Sequence, residues 1–370
     1  MNTRQNETGS MLMGAMVAAI ASLAAGPALA QSAVTIYGIV DTGVESVTNV
    51  GPTRSRVTRM PSLTGSLPSR LGYRGSEDLG NGYSGVFVLE QGFAPDTGAL
   101  NQSGRAFGRQ AYVGLGTPWG TLSLGRQYSQ IFYSLIGDTM GPNIYTASLL
   151  DTYLANARWD NSIAWRGSFG PVTAGATYSL GRDTVAPVPA GGCAGESTTD
   201  SKACRGMSAA LQYATQQWGV ALALDRQVGG AGAGSPLPSS SQTDSRASLS
   251  GFTRMGAVRL GAGLIRRNNE ASPAPRSDFW FLGGNYALGP WLFDAQYGRI
   301  NVRSSADDAS VVSMRAMYNF SRRSAAYVTL GRMINRGNAT FTIDGGVPAG
   351  SAPAPGVDQT GFMVGIRHSF

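Results

Sequence analysis

Arginine is the residue type in this chain with both the numbers and the chemistry to build a site. Of its 29 basic residues only Lys202 is a lysine, and the formal net charge is +7. A guanidinium stays protonated at any working pH and holds five N–H donors in a rigid fork, so a surface lined with it attracts anions. Acid–base chemistry has far less to draw on. A Ser/His/acid set would need a histidine, and the only one, His368, lies on the predicted outward face of the last segment, beside the terminal residue. No Gly-x-Ser-x-Gly elbow and no phosphate-cradling glycine loop occurs. Two cysteines and one remote histidine make no tetrahedral metal site, so neither metal nor other cofactor is expected. An enzyme is disfavoured on these grounds. Nucleic acid is disfavoured too, because the arginines are scattered with no large basic cluster or stacking module.

The elements that must carry these arginines are strands. From Gln31 onward, segments of about ten residues alternate apolar with polar or small residues, the period of a strand with two different faces. Ala33 to Glu45 sets Val34, Ile36, Val40 and Val44 on one face and Thr35, Tyr37, Asp41 and Glu45 on the other. Two kinds of connection take turns. Tight ones occur at 78–82, 116–120, 170–171, 216–219, 255–256, 289–290 and 321–323, most with Gly, Asn or Pro where hairpin turns require them. Long ones, rich in Gly, Pro and Ser, run over about 49–67, 93–105, 127–157, 182–205, 229–244, 268–277, 303–308 and 335–357. Seven tight turns and eight long loops join sixteen strands. Short turns on one side and long loops on the other describe an antiparallel transmembrane β-barrel, with short periplasmic turns and long extracellular loops. At that size side chains no longer fill the interior, so a hole follows from the number.

Both ends of the chain agree. Met11 to Ala25 is an uncharged apolar run followed by Ala28-Leu29-Ala30, so residues 1–30 read as a cleaved signal peptide and 31–370 as the barrel. A membrane anchor is the alternative, but about 15 apolar residues fall short of the roughly 20 that span a bilayer. The last segment, Asp358 to Phe370, puts Phe362, Val364, Ile366, His368 and Phe370 on one face against Met363, Gly365, Arg367 and Ser369. Composition fits a wall with lipid outside and water inside: Gly 51, 14% charged residues, and Tyr 14, Phe 13 and Trp 6 for interfacial girdles. A secreted β-sandwich would show the same alternation, but not the loop asymmetry together with the terminal Phe370. In an exported chain, Cys193 and Cys204, eleven positions apart in a polar segment, read as a disulfide closing a surface loop.

Five motifs in order carry a family resemblance across nearly all of 31–370: 34–41 (VTIYGIVD), 69–80 (SRLGYRGSEDLG), 108–115 (GRQAYVGL), 120–128 (GTLSLGRQY) and 365–370 (GIRHSF). The chain resembles the general porins of β-proteobacteria. The resemblance implies a homotrimer of sixteen-stranded barrels in the outer membrane of a Gram-negative bacterium, each passing small hydrophilic solutes and ions. It implies that the third loop, here 127–157 between Arg126 and Arg158, folds inward as a constriction. It also implies contact with outer-membrane lipid and lipopolysaccharide, and that Phe370 is read by the outer-membrane insertion machinery. The segment from Ala157 to Ser162 and the Leu, Ile and Tyr content of the third loop depart from the commoner pattern.

Alternation then assigns the arginines. Leu71 and Tyr73 face outward, so Arg70 and Arg74 face inward; Ile163 and Trp165 outward send Arg158, Asp160 and Arg166 inward. Arg109 shares a face with Ala111, Val113 and Leu115, and Arg126 shares one with Leu122 and Leu124. A charge facing lipid at the midplane costs roughly 2 to 4 kcal/mol, so these two either are re-aimed by bulges or sit at the rim, and the resemblance favours the constriction. Arginine-lined pores favour anions. Asp138 and Asp151 of the third loop are either the acidic side of a field across the constriction or hydrogen-bonding pins that hold the loop. A substrate-specific channel using Phe132, Tyr133, Tyr145 and Tyr153, or an adhesin-type barrel, is the alternative to a diffusion channel.

Overall fold

The computed structural model describes residues 33–63, 65–182, 193, 195–230, 237–345 and 351–370. The segment read as a signal peptide, 1–30, lies outside the described residues. Among those described, seventeen strands pair antiparallel in one sheet: β1 (Ala33–Val50), β2 (Ser55–Arg59), β3 (Arg70–Gly80), β4 (Tyr83–Gly92), β5 (Gln110–Thr117), β6 (Gly120–Tyr128), β7 (Arg158–Phe169), β8 (Val172–Ser179), β9 (Gly206–Ala214), β10 (Trp218–Val228), β11 (Thr243–Met255), β12 (Val258–Asn269), β13 (Arg276–Leu288), β14 (Trp291–Val302), β15 (Ala309–Asn319), β16 (Ser324–Asn335) and β17 (Gln359–Ser369). Each pairs with the next in sequence except at the first loop. There β2, which alternation did not reveal, folds back on the outer end of β1, while Ala33–Ile39 of β1 pairs with β3. Sixteen strands therefore make the wall. It closes where β1 meets β17, from Ile39↔Ser369 to Val47↔Gly361, and the backbones of Gly38 and Phe370 exchange two hydrogen bonds of 3.1 Å.

All seven tight turns and all eight loops fall where the sequence places them. The turns work because Asn81, Gly82, Gly170, Gly256 and Gly289 accept the positive φ that a short hairpin demands. The apolar outward face stays uncovered, with Val34, Val113, Leu224, Met314 and Ile366 among its exposed residues. In water such a surface would be a liability; against lipid tails it is the condition for insertion. At the turn side it ends in an aromatic girdle, in which Trp291 lies 4.9 Å from Tyr318 and Tyr318 5.3 Å from Phe320.

The inner face is not uniformly polar. On β12 to β17 it carries Ile265, Phe279, Phe281, Ile300, Val311, Met333 and Met363, all buried. What covers them is the third loop, whose Ile131, Ile144, Leu150 and Leu154 join the same buried cluster. The hydrophobic core of this molecule thus lies inside the barrel, between loop and wall. Outside the membrane region, a disulfide joins Cys193 to Cys204 in the loop between β8 and β9.

Candidate functional site

The third loop leaves β6 after Tyr128, forms a short helix, α1 (Gln130–Ser134), and returns to β7 through two turns of 3₁₀ helix at Ala147–Leu150 and Leu154–Asn156. It follows the wall from β8 round to β1, bonded at successive strands. Gln130 donates its backbone N–H to Ser208 (2.9 Å) and its side-chain amide to Thr177 (2.9 Å). The Gly137 N–H reaches Ser250 Oγ at 2.7 Å, Arg259 donates to the Ile136 carbonyl at 2.6 Å, and Asn285 donates to the Thr139 carbonyl at 3.0 Å. The Ala147 N–H meets Gln296 Oε1 at 2.7 Å, and the Tyr145 hydroxyl donates to Glu45 at 2.7 Å.

Glycines cut the seat. A side chain at Gly175, Gly261, Gly283, Gly298 or Gly361 would strike Gln130, Gly137, Thr139, Ala147 or Tyr145 respectively. These inward glycines form a groove around the wall with the loop lying in it, and only glycine lets backbone approach so closely.

What the loop leaves uncovered is the wall from β3 to β7, where the arginines stand. Arg109, 6% exposed, donates from Nε to Glu90 Oε1 at 2.6 Å and from Nη2 to the Tyr128 hydroxyl at 3.1 Å. Arg70 lies 3.6 Å from Glu90, and Arg74 lies 5.4 Å from the centre of the Tyr37 ring. Arg126 donates to Asp160 at 2.7 Å and to the Gly108 carbonyl at 2.7 Å. Arg158, 4% exposed, donates to the Tyr128 hydroxyl at 2.7 Å with its guanidinium 4.5 Å from that ring's centre. Arg166 stacks over Tyr133 at 4.3 Å. The arginines assigned to the interior stand along β3 to β7, but of them only Arg109, Arg126 and Arg158 line the cavity between wall and loop; Arg70, Arg74 and Arg166 do not.

Two of them break the alternation, for local reasons. At Arg126 the register between β6 and β7 slips between Gly125 and Gln127; Gly125 takes φ +134, Asn161 opposite takes φ 49, and the arginine turns inward while Leu122 and Leu124 stay out. Arg109 lies one residue before β5 begins, so the outward face of Val113 and Leu115 does not govern it. Arg105, in the second loop, reaches Asp160 at 3.2 Å, and Arg182, after β8, reaches Gln227 at 2.7 Å; alternation could find neither, since both lie outside strands. Glu90, which fixes Arg109, was readable: it lies opposite Gly72 of β3, on the inward face that Gly72 shares with Arg70 and Arg74.

Asp138 and Asp151 do not face this arc. Asp138 Oδ1 accepts from the N–H groups of Met140 (3.1 Å) and Gly141 (3.0 Å) and from Gln296 (2.8 Å), and burial pushes its carboxyl up. Asp151 pairs with Arg246 of β11 through two bonds, 2.7 and 3.1 Å. Burial works to raise its pKa, but Arg246 and Arg267 outweigh it and hold it below the ordinary carboxylate range. Both acids sit on the loop's wall side as pins. The reason is the apolar and amphiphilic content of the loop, which commits one side of it to the wall. The aromatic residues are committed likewise: Phe132 stacks on Tyr128 at 3.8 Å, and Tyr145 and Tyr153 donate to Glu45 and Asp225.

Between arc and loop lies a cavity of about 440 Å³. On one side stand Arg105, Arg109, Arg126, Arg158 and Arg182; on the other the loop offers Asn143, Ser148, Thr152 and Asn156 with Ile144 and Leu149. One side is cationic and the other uncharged. A cavity with one cationic wall carries a positive potential that draws anions.

Residues 15–338 match the family model described as Gram-negative porin. The outer membrane porin protein 32 of Delftia acidovorans is 30% identical over 95% of this chain and 98% of that one. An outer membrane porin protein of Bordetella pertussis is 33% identical over 57% of this chain and 58% of its own. Among solved structures, an anion-selective porin from Comamonas acidovorans superposes with TM-score 0.74 over 92% of this chain and 100% of its own, at 23% identity, a likeness of fold. The chain belongs to the Gram-negative porin family and is a channel-forming β-barrel of the outer membrane.

Proposed function

We propose that this channel is a passive diffusion pore with a preference for anions. The observation that carries this reading is the one-sided constriction, in which Arg105, Arg109, Arg126 and Arg158 face a loop surface without carboxylates of its own. Glu90 and Asp160 hold the arginines in place and leave the arc with positive charge in excess. The anion selectivity named for the Comamonas porin supports the same direction. The test is the reversal potential of the reconstituted protein under a tenfold KCl gradient. An anion-selective potential is expected, and a cation-selective or null potential would overturn the reading.

The remaining assignments complete the proposal. Residues 1–30 are the export signal and 31–370 the barrel domain. The working form is a homotrimer, in contact with lipid and lipopolysaccharide, and Phe370 serves the insertion machinery. The reading makes the protein a channel rather than an enzyme, with the charged groups at the constriction being arginines held by Glu90, Asp160 and Tyr128. The aromatic residues of the third loop pack it against the wall, which favours diffusion over a dedicated binding track.

A further inference from the structure

Of the arginines that border the cavity, Arg182 is the one that the stretch from β3 to β7 does not supply. It follows the end of β8 at Ser179, and its guanidinium donates to Gln227 Oε1 at 2.7 Å and to the Val228 carbonyl at 2.9 Å, both at the loop end of β10. The backbone of the same residue is held from another quarter. Its N–H donates to the Cys204 carbonyl at 2.9 Å. One residue earlier, a side chain at Gly181 would strike the backbone of Glu196, which lies between Cys193 and Cys204. Residues 181–182 therefore rest on the segment that the disulfide closes.

We propose that Arg182 is a selectivity residue of the constriction and that the Cys193–Cys204 disulfide positions it. A bridge that only closed a surface loop would need no burial, yet Cys193 and Cys204 are 0% and 1% exposed and pack with Ala203. Cys204 takes φ 60, a conformation that most side chains avoid. The cross-link holds it there together with its N–H, which donates to the Gly229 carbonyl at 2.9 Å, and only a glycine at 230 leaves room beside its sulfur. Opening the cross-link removes one of these restraints and lets Cys204 relax to negative φ, which carries away the carbonyl that orients Arg182. A guanidinium at a low-dielectric wall acts on passing ions through its field, so a shift of the side chain is felt without any contact. A cross-link outside the wall thus sets part of the anion preference inside it.

The inference rests on the anion-selective reading, and the two fail separately: the intact wild type reads the pore, and the change on opening the disulfide reads Arg182. Reversal potentials of the reconstituted full-length channel are measured under a KCl gradient before and after treatment with a phosphine reductant, with the freed thiols counted by a maleimide mass tag. Reduction should lower the anion-to-cation permeability ratio of the wild type by about twofold, with conductance nearly unchanged. Arg182→Gln should lower the ratio at least as far, and reduction should then add nothing. Arg182→Lys, which keeps the charge, should stay close to the wild type. Where the bridge resists the reductant, Cys193→Ser with Cys204→Ser supplies the open state for the same comparison. An unchanged ratio after the bridge is open overturns the proposal. An equal fall on reduction in the wild type and in Arg182→Gln also overturns it, since the disulfide would then act through other groups.

Discussion

Arg158 is the residue on which the selectivity argument bears most directly, since it is buried at the constriction and held by the hydroxyl and ring of Tyr128. Replacing it by Gln should lower the anion-to-cation permeability ratio severalfold while leaving single-channel conductance within about twofold, as read from reversal potentials. Asp151 makes the opposite kind of prediction. Its pKa is depressed in the folded state, so the stability it contributes is present above the ordinary carboxylate pKa and is lost as pH falls through the lowered one. Open-channel noise should therefore be constant from pH 7 down to about pH 5 and rise only below about pH 4. Asp151→Asn should be noisy at every pH, because it leaves the Arg246 guanidinium buried and half-paired, a change of about 3 to 5 kcal/mol.

At the scale of the element, the third loop is seated along its length, so pore size is set by the wall glycines as much as by the loop itself. A methyl at Gly261 would strike the Gly137 carbonyl, whereas one at Gly85 would meet open space. Gly261→Ala should accordingly push the loop into the opening and reduce single-channel conductance, with Gly85→Ala as the unaffected control. The disulfide behaves as a local constraint. It closes a short loop outside the barrel wall, so reduction should make the β8–β9 loop cleavable by protease while the barrel keeps its heat-modifiable migration.

Closure decides stability for the whole molecule. An open sixteen-stranded sheet would carry two unpaired edges in lipid, where unmet backbone groups cost several kcal/mol each. The seam between β1 and β17 ends in the two hydrogen bonds of Gly38 with Phe370, whose ring also lies against Gly38. Deleting Phe370 should lower the yield of assembled barrel in the outer membrane, measured by heat-modifiability in membrane fractions, more than Phe370→Tyr does. An equal yield from both would remove the terminal residue from the assembly argument.

The chain's alternation and punctuation determined the barrel: strand count, turn positions and outward faces follow from a period of two broken by Gly, Asn and Pro, all local properties. The inward arginines of regular stretches of strand, Arg70, Arg74 and Arg166, were legible for the same reason. Arg109 and Arg126 were not, because a one-residue bulge or a strand end reverses a face without leaving a mark in the alternation. A signal for the loop's seat existed in Phe279-Trp280-Phe281-Leu282, where both faces of a strand are apolar, one toward lipid and one toward a covering segment. Only the tertiary structure decided where the acids of the third loop point. Asp138 and Asp151 meet their partners, Gln296 and Arg246, across 158 and 95 positions of chain, and contacts of that range are fixed by closing the barrel.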